Sequence, residues 1–214
     1  MSACREQVSV GPASLPGRLL VPSRASAIVL LGQGGGAPSP LMQSVDEMLL
    51  DAGIATLVID FLGLPGAEPR RVGLGVEALA ACMVQALDWI GVRADLANAR
   101  IGTMSTGIGA AAVLRAEGQH PGRFSAIVLQ GGRVDLAGDD WLTRVRAPTL
   151  LIVGSGDAEL ERINRRALSQ LSCIRRLEVV PRATHRLEQP GALASAAHLA
   201  CAWLRHELAP RHRV

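Results

Sequence analysis

Rings are scarce in this chain. Three tryptophans, two phenylalanines and no tyrosine make up 2% of its 214 residues. That argues against a surface that stacks bases or a sugar groove lined with rings, so no nucleic-acid partner is expected. Cysteine is sparse as well. Cys4, Cys82, Cys173 and Cys201 are scattered and show no C-x-x-C spacing, which suggests neither a zinc site nor a disulfide framework. Free or buried thiols in a reducing cytoplasm fit better. No apolar run approaches the ~20 residues needed to span a bilayer. The start, Met1-Ser2-Ala3-Cys4-Arg5-Glu6, is too polar for a secretory signal. A cytoplasmic protein with no membrane partner is expected. A Walker lysine is missing too, which removes a P-loop.

What is present is a globular composition, 49% hydrophobic and 19% charged. A chain of 214 residues can form one domain, 1–214, with a full core. The formal charge is only +3, and much of the basic excess lies between Arg205 and Arg213. A solvated terminus accounts for that better than a binding patch.

Two short strands, 7–10 and 18–21, open the chain as a hairpin-like pair, separated by Gly11-Pro12 and Pro16-Gly17. Apolar runs at 27–31 and 54–60 read as buried strands, and 100–104, 125–130, 148–154 and 176–180 as the strands that follow. Between them lie helical patterns, among them 76–90 and, at the end, 192–208. The stretch 61–75, rich in glycine and proline, reads as a loop. Strands alternating with helices predict an α/β fold, a mostly parallel sheet covered on both faces. Chemistry in such sheets sits at the carboxyl ends of the strands.

Three residues stand at those ends. Ser105 follows the strand 100–104, in Thr103-Met104-Ser105-Thr106-Gly107, close to the G-x-S-x-G elbow but with threonine in the first place. Asp157 follows the strand 148–154 in a glycine-rich turn, and His185 follows the strand 176–180. The order Ser, Asp, His suits nucleophile, orienting carboxylate and base. A helix N-cap role is the plainer alternative for Ser105 and for Asp157. Asp135 is the nearest competing carboxylate, with Asp60, Asp139 and Asp140 also after strands. His120, His198, His206 and His212 fall away from the expected rim. The amides of Thr106 and of Gly35, with Gly34 beside it, are the expected oxyanion donors. Arg70, Arg71 or Arg133 could meet a substrate carboxylate. One rival pattern is Gly32-Gln33-Gly34-Gly35-Gly36-Ala37 with Asp60 downstream, which fits a dinucleotide fingerprint. Pro38 and Pro40 delay the helix that should meet the pyrophosphate.

With these pieces the chain resembles the α/β-hydrolase fold, and more closely its dienelactone-hydrolase-like branch, including the hydrolase-type domains joined to a phosphoribosyltransferase. Met104-Ser105-Thr106-Gly107, the run Gly131 to Gly138, Val153 to Asp157, and Ala183-Thr184-His185 carry the likeness. It implies a twisted sheet of seven or eight strands, a nucleophilic Ser105, an acid Asp157 and a base His185. It also implies a small ester or lactone substrate cleaved through an acyl-enzyme. No cofactor or metal is implied, and a homo-oligomer is compatible with it. Gln33 and Thr103 depart from the pattern, where many relatives carry histidine and glycine. A hydrolase fold that has lost catalysis and serves binding is the alternative these departures favour.

Overall fold

Strands whose residues are apolar on both sides must be covered on both sides, and the sheet is built that way. The computed structural model describes residues 3–23, 25–33, 39–61, 75–96 and 98–210. Its strands are β1 (Ala3–Val10), β2 (Leu15–Pro22), β3 (Ala27–Gln33), β4 (Ala55–Asp60), β5 (Arg100–Thr106), β6 (Ala126–Gln130), β7 (Thr149–Gly154) and β8 (Arg175–Val180). They form one eight-stranded sheet in the order β1-β2-β4-β3-β5-β6-β7-β8. Pairing is antiparallel from β1 through β2 to β4 and parallel from there to β8.

The helices are α1 (Pro40–Asp51), α2 (Val76–Gly91), α3 (Ile108–Gln119), a short α4 (Asp139–Leu142), α5 (Ala158–Gln170) and α6 (Ala192–Leu208). Side chains alternate across a strand, so β3 feeds two cores. Ile28 and Leu30 pack with residues of α2, α3 and α5, whereas Ala27, Val29 and Leu31 pack with α1 and α6. Among the described residues, no helix is long and apolar enough to cross a membrane.

The opening pair is longer than its sequence suggests. Pro16-Gly17 was expected to separate the strands and instead lies inside β2. Pairing of β2 with β4 begins only at Gly17, so Pro16 owes no donor on that side. A second difference matters more: β5 continues two residues past the expected end at Met104 and carries Ser105 and Thr106 within it.

Charged side chains tie the layers together where the core permits none unpaired. Asp46 of α1 accepts from Arg18 Nη2 at 2.6 Å and from Thr56 Oγ1 at 2.5 Å, joining α1 to β2 and β4. Glu117 of α3 is fully buried. Its carboxylate accepts from the amides of Gly122 (2.7 Å), Phe124 (3.2 Å), Arg146 (3.4 Å) and Ala147 (3.3 Å). Burial pushes this carboxyl above the usual range, against the pull of those amides. The segments leading into β6 and β7 are thereby held to the same helix.

Strand order reverses between β3 and β5, since β4 lies on one side and β6 to β8 on the other. That reversal opens a crevice at the carboxyl ends of the strands, the expected position for a ligand.

Candidate active site

β3 and β5 run parallel with Gly32 opposite Ser105. Ser105 is still part of the strand, 1% exposed, and its hydroxyl donates to the Gly32 carbonyl at 3.4 Å. It lies beneath the first turn of α3, where a Cβ on Gly109 would overlap its Oγ. The chain leaves the sheet at Gly107, which caps α3 with φ +55° and ψ −129°. Glycine adopts that left-handed backbone without a steric penalty. Among the described residues, a Cβ at this position would have no heavy atom within 4 Å.

The elbow therefore turns two residues later than expected. Ser105-Thr106-Gly107-Ile108-Gly109 occupies the five places of G-x-S-x-G, with serine in the first and glycine in the middle. Its outer positions press together, as positions that flank a tight turn must, and its middle position projects. Ser105, expected on the turn, sits in the strand below it. Thr106 ends β5 opposite Gln130. The amide following the apex belongs to Ile108, which opens α3 and has no acceptor within the helix. Thr103 is buried and donates to the Leu30 carbonyl at 3.0 Å, so its hydroxyl is absorbed into the sheet.

Asp157 and His185 do meet. Gly154-Ser155-Gly156-Asp157 follows β7, and the segment after β8 folds against it. The Ser155 amide donates to the Val180 carbonyl at 3.0 Å and the Gly156 amide to the Ala183 carbonyl at 2.7 Å. The Arg182 amide in turn donates to Ser155 Oγ at 2.7 Å. Gly154 has to be glycine here, since a Cβ would strike the Ala183 carbonyl. These bonds bring the two loops close enough for the His185 ring Nδ1 to lie 2.8 Å from Asp157 Oδ2, the same oxygen that accepts the His185 amide. The amide and the ring of His185 together hold the Asp157 carboxyl below the usual aspartate range.

Gln130, at the end of β6, is a positioning residue that no motif marks. It is 4% exposed, and its Nε2 donates to the His185 carbonyl at 2.9 Å. Gly131 lies against the same residue, with room for a Cβ only 3.1 Å from that of His185. His185 is thus gripped at its amide by Asp157 and at its carbonyl by Gln130.

The remaining candidates lie elsewhere or are engaged. Asp135 forms a two-bond pair with Arg133, at 2.9 and 2.8 Å, which lowers its pKa and occupies the arginine considered for a substrate carboxylate. His198 is exposed on α6 with its ring Nδ1 2.7 Å from the Ala194 carbonyl. His206 lies 3.9 Å from Glu207, and His120 follows α3 at the opposite end from Gly107. Gly34 and Gly35, the Gln33 side chain, Arg70, Arg71 and His212 lie outside the described residues. The helix after β3 starts at Pro40, and the Ser39 hydroxyl accepts from the Met42 amide at 3.2 Å. A serine occupying that helix end weakens the dinucleotide alternative.

Gly107, Gly131, Asp157 and His185 line one cleft of about 650 Å³. Thr106, Gly107, Gln130 and His185 line an adjoining one of about 470 Å³. Ser105 lines neither. With Nδ1 facing a carboxylate, the ring's Nε2 is the nitrogen that can take a proton. The Ile108 amide can donate to a developing negative charge. Among the described residues, no group of three or more histidine, cysteine or acidic side chains is arranged to hold a metal ion.

No family model matches the chain. Over 200 residues it is 38% identical to "Putative phosphoribosyl transferase Rv0571c" of Mycobacterium tuberculosis strain H37Rv, covering 92% of this chain and 45% of that protein. The chain thus spans about half the length of the curated relatives it matches. Among solved structures, XC6422 from Xanthomonas campestris, described as a serine hydrolase without lid, superposes with a TM-score of 0.73 at 15% identity. It covers 99% of this chain and 97% of its own, and supports the fold alone. Dienelactone hydrolase from Anabaena variabilis ATCC 29413 is far nearer, with a TM-score of 0.88 and 38% identity over 97% of this chain and 98% of its own. Identity at that level across almost the whole of both chains makes this protein a member of the dienelactone hydrolase family of α/β hydrolases.

Proposed function

We propose that this chain binds a small ester- or lactone-like molecule in the cleft between Gly107 and His185, and forms no acyl-enzyme at Ser105. The observation that carries this reading is the environment of the serine hydroxyl. It is buried, bonded to the Gly32 carbonyl and absent from the two described clefts that contain His185. An acyl group on that oxygen would have to displace the first turn of α3, whose Gly109 already leaves it no space. The ligand class follows from the family, since the nearer solved relative is named for its action on a dienelactone. Of the readings the sequence allowed, the one that needs no acyl-enzyme at Ser105, a hydrolase fold serving binding, is the one favoured.

Titration with 3,4-dihydroquinolin-2-one, the hydrolysis-resistant lactam counterpart of an aryl lactone, tests this by two-dimensional amide NMR. Wild type and Ser105→Ala are expected to show the same ligand-induced shifts at Gly131 and His185, with equal dissociation constants. Loss of those shifts in Ser105→Ala, in a variant that stays folded, contradicts the reading.

A further inference from the structure

We propose that the Asp157–His185 pair acts as a general base on a water molecule that takes the place a nucleophilic side chain would hold above Gly107, making direct hydrolysis the activity of this site. This rests on the reading that Ser105 forms no acyl-enzyme.

Three features of the molecule meet at this point. First, the apex of the elbow carries no side chain, has no described heavy atom within 4 Å of where its Cβ would be, and borders the same cleft as His185. Second, the base is fully assembled. Its Nδ1 is on Asp157 at 2.8 Å, its amide is on the same carboxylate, and Gln130 holds its carbonyl. Holding one histidine at three points serves to aim its free nitrogen, since a solvated loop histidine needs none of them. Third, the Ile108 amide at the start of α3 stands beside the apex as a donor for an oxyanion.

The step balances with water as the sole co-substrate. The water oxygen bonds to the carbonyl carbon while His185 Nε2 takes one water proton. The tetrahedral oxyanion is held by the Ile108 amide. On collapse the bond from carbon to the leaving oxygen breaks, and that oxygen takes the proton back from the imidazolium. A carboxylic acid and an alcohol are released and His185 is neutral again. No bond to the protein forms at any stage.

The test uses p-nitrophenyl acetate and dihydrocoumarin with wild type, His185→Gln, Ser105→Ala and Gly107→Ser. Wild type is expected to hydrolyse at least one of them above the buffer rate, with no pre-steady-state burst and no inhibition by a fluorophosphonate. His185→Gln should lower kcat/KM by about 100-fold or more, the usual share of general-base catalysis, while Ser105→Ala stays within about twofold. Gly107→Ser, which puts a hydroxyl at the apex, should gain a fluorophosphonate adduct at position 107 and a burst. Hydrolysis unchanged in His185→Gln, no hydrolysis of either compound by wild type, or no adduct in a cooperatively melting Gly107→Ser would each overturn the proposal. A wild-type burst that Ser105→Ala abolishes instead overturns the reading on which it rests.

Discussion

Ser105 and Gly109 face each other across the β5–α3 turn so closely that the serine hydroxyl fills the space a Cβ on Gly109 would need. The pair defines the frame of the elbow, because the positions that touch are the ones on either side of the apex. Gly107 lies between them, and a Cβ on it would meet no other described residue within 4 Å.

The contact has a thermodynamic signature. Gly109→Ala forces a methyl group onto a buried hydroxyl and should cost about 1–3 kcal/mol, the usual range for overpacking a core. Ser105→Gly removes the obstruction. In the double variant part of that loss should return, as a coupling of about 0.5–3 kcal/mol between touching residues. Urea unfolding of the four proteins measures it, and additive losses would mean that the two positions do not touch.

Gly107→Ser should be destabilising for a different reason. The site has space, but φ of +55° suits glycine and strains any other residue. A cost of about 1–3 kcal/mol is expected for that backbone, seen as a lower urea midpoint with an unchanged slope. Gly107→Ala should cost much the same, since the strain is in the backbone and not in the hydroxyl.

The sequence disclosed the layered sheet because its apolar runs are unbroken and separated by helical periods, which physical burial requires. Asp157 and His185 were legible as well, since each is the polar residue placed just after a strand end. The elbow was misframed because a serine and a glycine had exchanged places within one motif. Thr103 to Gly107 and Ser105 to Gly109 both approximate the pattern, and only the point where the strand ends tells them apart. Gln130 gave no signal, because its partner is a backbone carbonyl 55 residues away and no side-chain type marks such a contact.

Gln130→Ala should loosen His185 without touching a ligand. Hydrogen exchange at residues 183–187 is expected to quicken while the global melting temperature changes little. Any ester hydrolysis should fall through kcat, by up to about 100-fold for a displacement of about 1 Å, with KM nearly constant. An unchanged exchange rate would show that the Gln130 bond does not hold the loop.

Glu117→Ala should be among the most damaging single changes outside the site. Four amides lose their acceptor, those of Phe124 and Ala147 where water cannot replace it, so a loss of about 3 kcal/mol or more is expected. Glu117→Gln keeps one acceptor oxygen but points an N–H₂ group at N–H donors, and should recover only part of it. Urea midpoints of the two variants and wild type check the ranking.

The Asp157–His185 pair gives a pH dependence of fixed sign. The folded-state pKa of Asp157 is lowered, chiefly by the His185 amide and then by its ring. Its contribution to stability is therefore complete above the ordinary aspartate pKa of about 3.9 and disappears as pH falls through the lowered value. The difference in urea midpoint between wild type and Asp157→Asn should shrink as pH falls below about pH 4. A gap that widens as pH falls below about pH 4 would reverse the assignment.

The central claim, that the reactive position of this hydrolase fold is held by Gly107 while Ser105 is sealed beneath it, is tested most directly by intact-mass and peptide mass spectrometry after prolonged exposure to a fluorophosphonate. The expected result is an unmodified wild-type chain under conditions that label a control serine hydrolase completely. A stoichiometric adduct on Ser105 would contradict it.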